Sequence, residues 1–189
     1  FGGRWNVTRL SLPEALRVAT LDRSRDIIWM STCRPADIAV GAMAGLVRFN
    51  IRNGNVAQFQ SAVPCSGPSA GAPFGLAGSI VADGTGDVWF LSGWQLVQFA
   101  AATSTFRNWK VPGQPVLEPG LPRTRASDIA ALTYPDQVVA GDDGSIWIRI
   151  LQSANLQQFS SSTQTWKPLS LGTRVSRKRM GPMMKDGGG

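Results

Sequence analysis

The strongest constraint on this 189-residue chain is a pattern that occurs three times in one register. The first copy reads Asp26-Ile-Ile-Trp29-Met, then Leu46-Val-Arg-Phe49, then Val56-Ala-Gln-Phe59. The second reads Asp87-Val-Trp89-Phe, Leu96-Val-Gln-Phe99 and Phe106-Arg-Asn-Trp109. The third reads Ser145-Ile-Trp147-Ile, Leu156-Gln-Gln-Phe159 and Trp166-Lys-Pro-Leu169. The tryptophans lie 60 and 58 residues apart, and the step from the Phe of the middle run to the start of the next run is seven residues in every copy. A register kept three times points to a repeated structural unit.

Each unit reads as four short strands. An apolar run precedes the Trp: Ile80 and Val138 both stand nine positions before theirs, with Asp-Gly clusters between. Such clusters mark tight turns, because Gly accepts positive φ and Asp bonds its own backbone. The links Asn53-Gly-Asn55, Ala102-Thr-Ser104 and Ser161-Ser-Ser-Thr163 are equally turn-like. Four strands per repeat at this period is the signature of a β-propeller blade, so the expected fold class is all-β, a propeller of four-stranded antiparallel blades. Val7-Thr-Arg-Leu10-Ser-Leu-Pro13 is similar to the last strand of a unit. The expected division is an outer strand of a preceding blade at 1–13, blades at 14–64, 65–113 and 114–171, and a basic tail at 172–189.

Three blades do not make a ring, since propellers close with typically four to eight. Two sheet faces are therefore left to be covered. The ring is completed by sequence outside this chain, by a second copy or by a different chain, unless residues 31–45, 65–79 and 114–137 supply further strands. Opening on Phe1 instead of Met is expected of a processed or partial chain.

Composition removes several chemistries. There is no histidine, and so no imidazole base, ligand or triad. The net charge is +7, but Arg174, Arg177, Lys178, Arg179 and Lys185 against Asp186 account for most of it, leaving the body at +3. That gives no nucleic-acid face. No run of about 18 apolar residues is present, as a membrane helix would need. Two cysteines, Cys33 and Cys65, cannot build a thiolate zinc site. They follow the second and fourth strands of one unit, so both emerge on the same edge about 10 Å apart. A disulfide needs about 6 Å between Cα atoms, which loops can supply, and would mark an oxidising compartment.

Asp83-Gly-Thr-Gly-Asp-Val-Trp-Phe90, Leu96-Val-Gln-Phe99 and Thr105-Phe-Arg-Asn-Trp109-Lys-Val-Pro112 resemble the repeat of streptogramin (virginiamycin B) lyase-like propellers. They are also similar to propeller repeats in sensor regions of two-component regulators. Asp143-Gly-Ser-Ile-Trp-Ile148 fits the same pattern, and the resemblance covers most of residues 5–171. It implies an extracytoplasmic propeller: periplasmic, cell-surface or secreted. Its lyase branch implies a His general base and an acidic residue with bound Mg²⁺. With no His, and only Glu14 and Glu118 as glutamates, that activity is not expected from this chain.

The expected function is thus non-catalytic: a protein-binding or assembly module, a scaffold or accessory subunit, with no cofactor and no metal. A lyase-type enzyme with active residues outside this chain, and a carbohydrate-binding propeller, are the alternatives. Trp29, Trp89 and Trp147, with Phe49, Phe99 and Phe159, are expected to pack between blades. Trp94 has no counterpart in the other units and stands in a turn, which makes it a candidate binding residue. Asp83, Asp87, Asp142 and Asp143 read as turn residues, because a calcium loop would need more oxygen ligands at defined spacing. Arg174, Arg177, Lys178 and Arg179 are expected to dock on an acidic partner or an anionic membrane surface.

Overall fold

The computed structural model describes residues 15–34, 43–64, 79–113, 135–150 and 155–170. They form three four-stranded antiparallel sheets, each a meander. Blade one holds β1 (Ala15–Asp22), β2 (Ile27–Arg34), β3 (Met43–Asn50) and β4 (Val56–Pro64). Blade two holds β5 (Ile80–Ala82), β6 (Val88–Ser92), β7 (Gln95–Ala100) and β8 (Thr105–Lys110). Blade three holds β9 (Pro135–Ala140), β10 (Ser145–Ile150), β11 (Asn155–Ser160) and β12 (Thr165–Ser170). Neighbouring sheets approach through their first and second strands, β1 against β5 and β5 and β6 against β9. The outer strands β8 and β12 are mostly exposed.

The register is the same in all three blades. Ile28 pairs with Phe49, Val88 with Phe99 and Ile146 with Phe159. Trp29, Trp89 and Trp147 are each one residue further on, so they point to the opposite face of their sheet. One face of each blade therefore carries the Trp, the other the Phe. A sheet buried on both faces needs apolar residues on both, which is why the β6 run Val88-Trp-Phe-Leu91 shows no polar alternation and is buried throughout.

Turns set this register. The link before each fourth strand places a positive φ five residues after the Phe: Gly54 (72°), Ser104 (53°) and Gln164 (55°). Between β6 and β7 a two-residue turn has Gly93 at φ 56°, the sign a type II′ hairpin needs at its first central position. Asp83 organises the β5–β6 turn: one carboxylate oxygen accepts from the backbone N–H groups of Thr85, Gly86 and Asp87 and from the Thr85 hydroxyl. Its other oxygen accepts from Trp89 Nε1 at 2.8 Å.

Candidate functional site

Two apolar layers join the blades. Between blades one and two lie Trp29, Leu46, Val88, Phe90, Val97 and Phe99. Between blades two and three lie Trp89, Leu91, Leu96, Ile146, Ile148 and Phe159. Each layer is keyed by the same contact, the Trp of one blade against the Phe of the next. Trp29 meets Phe99 at 5.6 Å with an interplanar angle of 60°, and Trp89 meets Phe159 at 5.9 Å and 59°. The outer strand reinforces it: Phe59 meets Phe99 at 4.5 Å, and its counterpart Trp109 meets Phe159 at 4.9 Å.

Polar clasps close the edges of these layers. Arg25 donates to the Thr85 carbonyl across blades one and two at 2.8 Å while pairing with Asp22 at 3.0 Å. Gly86 favours glycine through its φ of 93°, and a Cβ there would also push the Arg25 guanidinium, 2.7 Å away, out of the clasp. Burial of Asp22 would raise its pKa, but the Ser24 hydroxyl and backbone N–H and the Arg25 guanidinium more than offset that, and the carboxyl ends below its ordinary value. Across blades two and three, Ser79 Oγ donates to the Val138 carbonyl at 2.9 Å and accepts its N–H at 3.0 Å.

The pattern leaves two rows without a blade against them among the described residues. The Phe-bearing face of blade one runs Leu21, Ile28, Phe49, Val56 across four strands. Leu21 is 48% exposed and Val56 43%, with Ile28 and Phe49 half-buried. The equivalent residues of blade three, Ala140, Ile146 and Phe159, are 6%, 1% and 0% exposed. Met30 and Val47, further along the same face, are buried, so the open part is the row around Phe49. At the other end, the Trp-bearing face of blade three presents Trp147 and Leu156, both half-buried, and Leu169, 40% exposed. Their counterparts Trp89 and Leu96 are sealed at 1% and 0%. Arg149 on this face is held by Asp136, whose hydrogen bond raises the guanidinium pKa above its ordinary value despite burial.

This geometry corrects the expectations for Trp94, Trp147 and Phe49 and agrees with those for the other described residues. Trp94 is 6% exposed and belongs to the layer between blades two and three, so the ring is no platform for a ligand. Its two-residue turn folds back, and the Trp94 carbonyl accepts the Val111 N–H at 2.9 Å. Trp147 and Phe49 do not lie between described blades; they are the ends of the series. Trp29, Trp89, Phe99 and Phe159 do lie in the two layers. Asp83, Asp87 and Asp143 serve their turns: Asp87 accepts from Gln98 and the Ala101 N–H, and Asp143 from Ser145. The Ser145 hydroxyl and N–H hold the Asp143 carboxyl below its ordinary pKa. Among the described residues no cluster of His, Cys, Asp or Glu has a metal-binding arrangement. Arg174, Arg177, Lys178, Arg179 and Cys65 lie outside the described residues, as does the Cys33 side chain. Arg25 and Ser79 were not legible as clasps in the sequence, since each acts on a backbone group of another blade.

Three four-stranded meanders stacked through repeated Trp–Phe layers define the chain as a segment of a β-propeller. Solved structures similar to it include virginiamycin B lyase from Staphylococcus aureus, at 12% identity and a TM-score of 0.48, over 90% of this chain and 60% of that one. The extracellular domain of a one-component system from B. thetaiotaomicron is similar at 16% identity and a TM-score of 0.47, over 87% of this chain and 18% of that one. A luciferin-regenerating enzyme is similar at 12% identity and a TM-score of 0.50, over 84% and 47%. The chain thus spans about 60% of the length of the lyase it resembles. No protein-family model matches the sequence, and no curated protein does.

Proposed function

We propose that this chain is a non-catalytic, extracytoplasmic β-propeller segment that works as a protein-binding or assembly module, a scaffold or accessory subunit of a larger complex. The observation that carries this is the pair of open rows. Among the described residues, three of the five large exposed hydrophobics, Leu21, Val56 and Leu169, lie on the two open rows, at positions whose counterparts inside the stack pack against a neighbouring blade. Apolar surface at defined register is a docking surface. A lyase-type activity would take its general base from elsewhere, because the sequence holds no histidine. A sugar platform on Trp94 is opposed by its burial. The basic tail, with Arg174, Arg177, Lys178 and Arg179, is the proposed anchor on an acidic protein or an anionic membrane surface. Among the described residues no helix is long and apolar enough to cross a membrane. The extracytoplasmic placement is what the resemblance to sensor-region propellers implies, and a disulfide between Cys33 and Cys65 would accord with it.

The test is retention of a partner by a tagged chain exposed to an extract of its source. A stoichiometric protein, whether an untagged copy of this chain or another polypeptide, is expected on the wild type and lost from Trp147→Arg, from Val56→Arg or on deletion of residues 172–189. No stoichiometric protein, or one that every variant keeps, overturns the proposal.

A further inference from the structure

The two open rows are complementary, and we infer that their occupant is a second copy of this chain, joined head to tail so that Trp147 of each copy seats against Phe49 of the other. This rests on the assembly reading above and names its partner. The two internal layers supply the template. In each, a Trp on a second strand meets a Phe on the third strand of the next blade, at 5.6 Å and 5.9 Å and at nearly the same angle. Among the described residues, Trp147 is the third member of the Trp series and has no Phe against it, and Phe49 is the first of the Phe series and has no Trp against it. The flanking positions extend the match. Leu169 takes the place of Phe59 and Trp109 on one side, and Val56 that of Phe106 and Trp166 on the other.

Closure argues for a copy. Three blades from each of two chains give a six-bladed ring, within the four to eight that propellers use. A Trp face and a Phe face on opposite ends of one chain form a heterologous contact, and two such contacts around a two-fold axis close the assembly with no face left over.

The experiment is the mass of the full 189-residue chain in solution, by light scattering over a concentration series, with Trp147→Arg and Val56→Arg alone and mixed. The wild type is expected at twice the 20.2 kDa of one chain. Each variant alone spoils both contacts and is expected at 20.2 kDa. Mixed at high concentration, the two regain the doubled mass, because one contact then has both native faces. Circular dichroism checks folding, and Trp147→Gln with Val56→Gln is the milder pair, read the same way. A wild type that stays at the mass of one chain overturns the inference and gives the rows to further blades or to a different protein. So does a doubled mass that survives in either variant alone, or a mixture that stays monomeric. A monomer that still retains a stoichiometric partner defeats this inference and leaves the assembly function standing.

Discussion

Trp29 and Trp89 occupy the same position in successive blades, yet their indole N–H groups have different fates. Trp89 Nε1 donates to Asp83 at 2.8 Å, whereas Trp29 Nε1 is buried without a hydrogen bond. The cause is local. Asp22 stands where Asp83 stands in the next blade, but its oxygens are engaged by Ser24 and Arg25. Leaving a buried donor unsatisfied is costly, while a made hydrogen bond to a charged acceptor contributes about 1.5–3 kcal/mol. Replacing either Trp by Phe removes a similar volume, so the difference between the two variants isolates the N–H. Trp89→Phe is expected to cost about 2 kcal/mol more than Trp29→Phe in denaturant unfolding. Equal costs would show that the Asp83 bond contributes nothing. The sequence marks both tryptophans as architecture by their register, but it gives no sign of this difference, because the relevant carboxylates lie in turns of unlike length.

At the scale of the elements, strand number and order follow from the repeat, since seven-residue steps and Asp-Gly turns specify short hairpins. Which face each residue takes was harder to read. In a sheet buried on both sides, Val88, Trp89, Phe90 and Leu91 are all apolar, and only pairing separates them into two layers. Trp94 departs from expectation for a related reason: a turn residue is usually exposed, but a two-residue turn is short enough for its side chain to fold over the sheet it closes. The clasp between blades one and two gives a pH dependence. The Asp22 carboxyl has a folded-state pKa below its ordinary 3.8, so it stabilises the fold above that value and loses this contribution as pH falls through the lowered one. In thermal melts, the advantage of wild type over Asp22→Asn is expected to be constant near neutrality and to shrink once the pH drops below 3.8. An advantage independent of pH would show that the charge of Asp22 contributes nothing to the clasp.

For the whole molecule, the repeat predicted an open ring, and the described blades show where it is open. The sequence could not say how the two ends relate, because that depends on which face carries Trp and which carries Phe. With both faces assigned, Trp147 and Phe49 become the unmatched ends of the series among the described residues. Stability then becomes a property of concentration. If two copies bind only when folded, unfolding releases two chains, and each tenfold increase in concentration stabilises the pair by about 1.4 kcal/mol. The wild-type melting temperature is expected to rise steadily with chain concentration, whereas that of Trp147→Arg stays level at a lower value. Calorimetric scans over two or three decades of concentration resolve the two cases. A wild-type melting temperature indifferent to concentration would mean that the rows are not joined to each other in the native state, and that the stability of the three blades rests on the two Trp–Phe layers already within the chain.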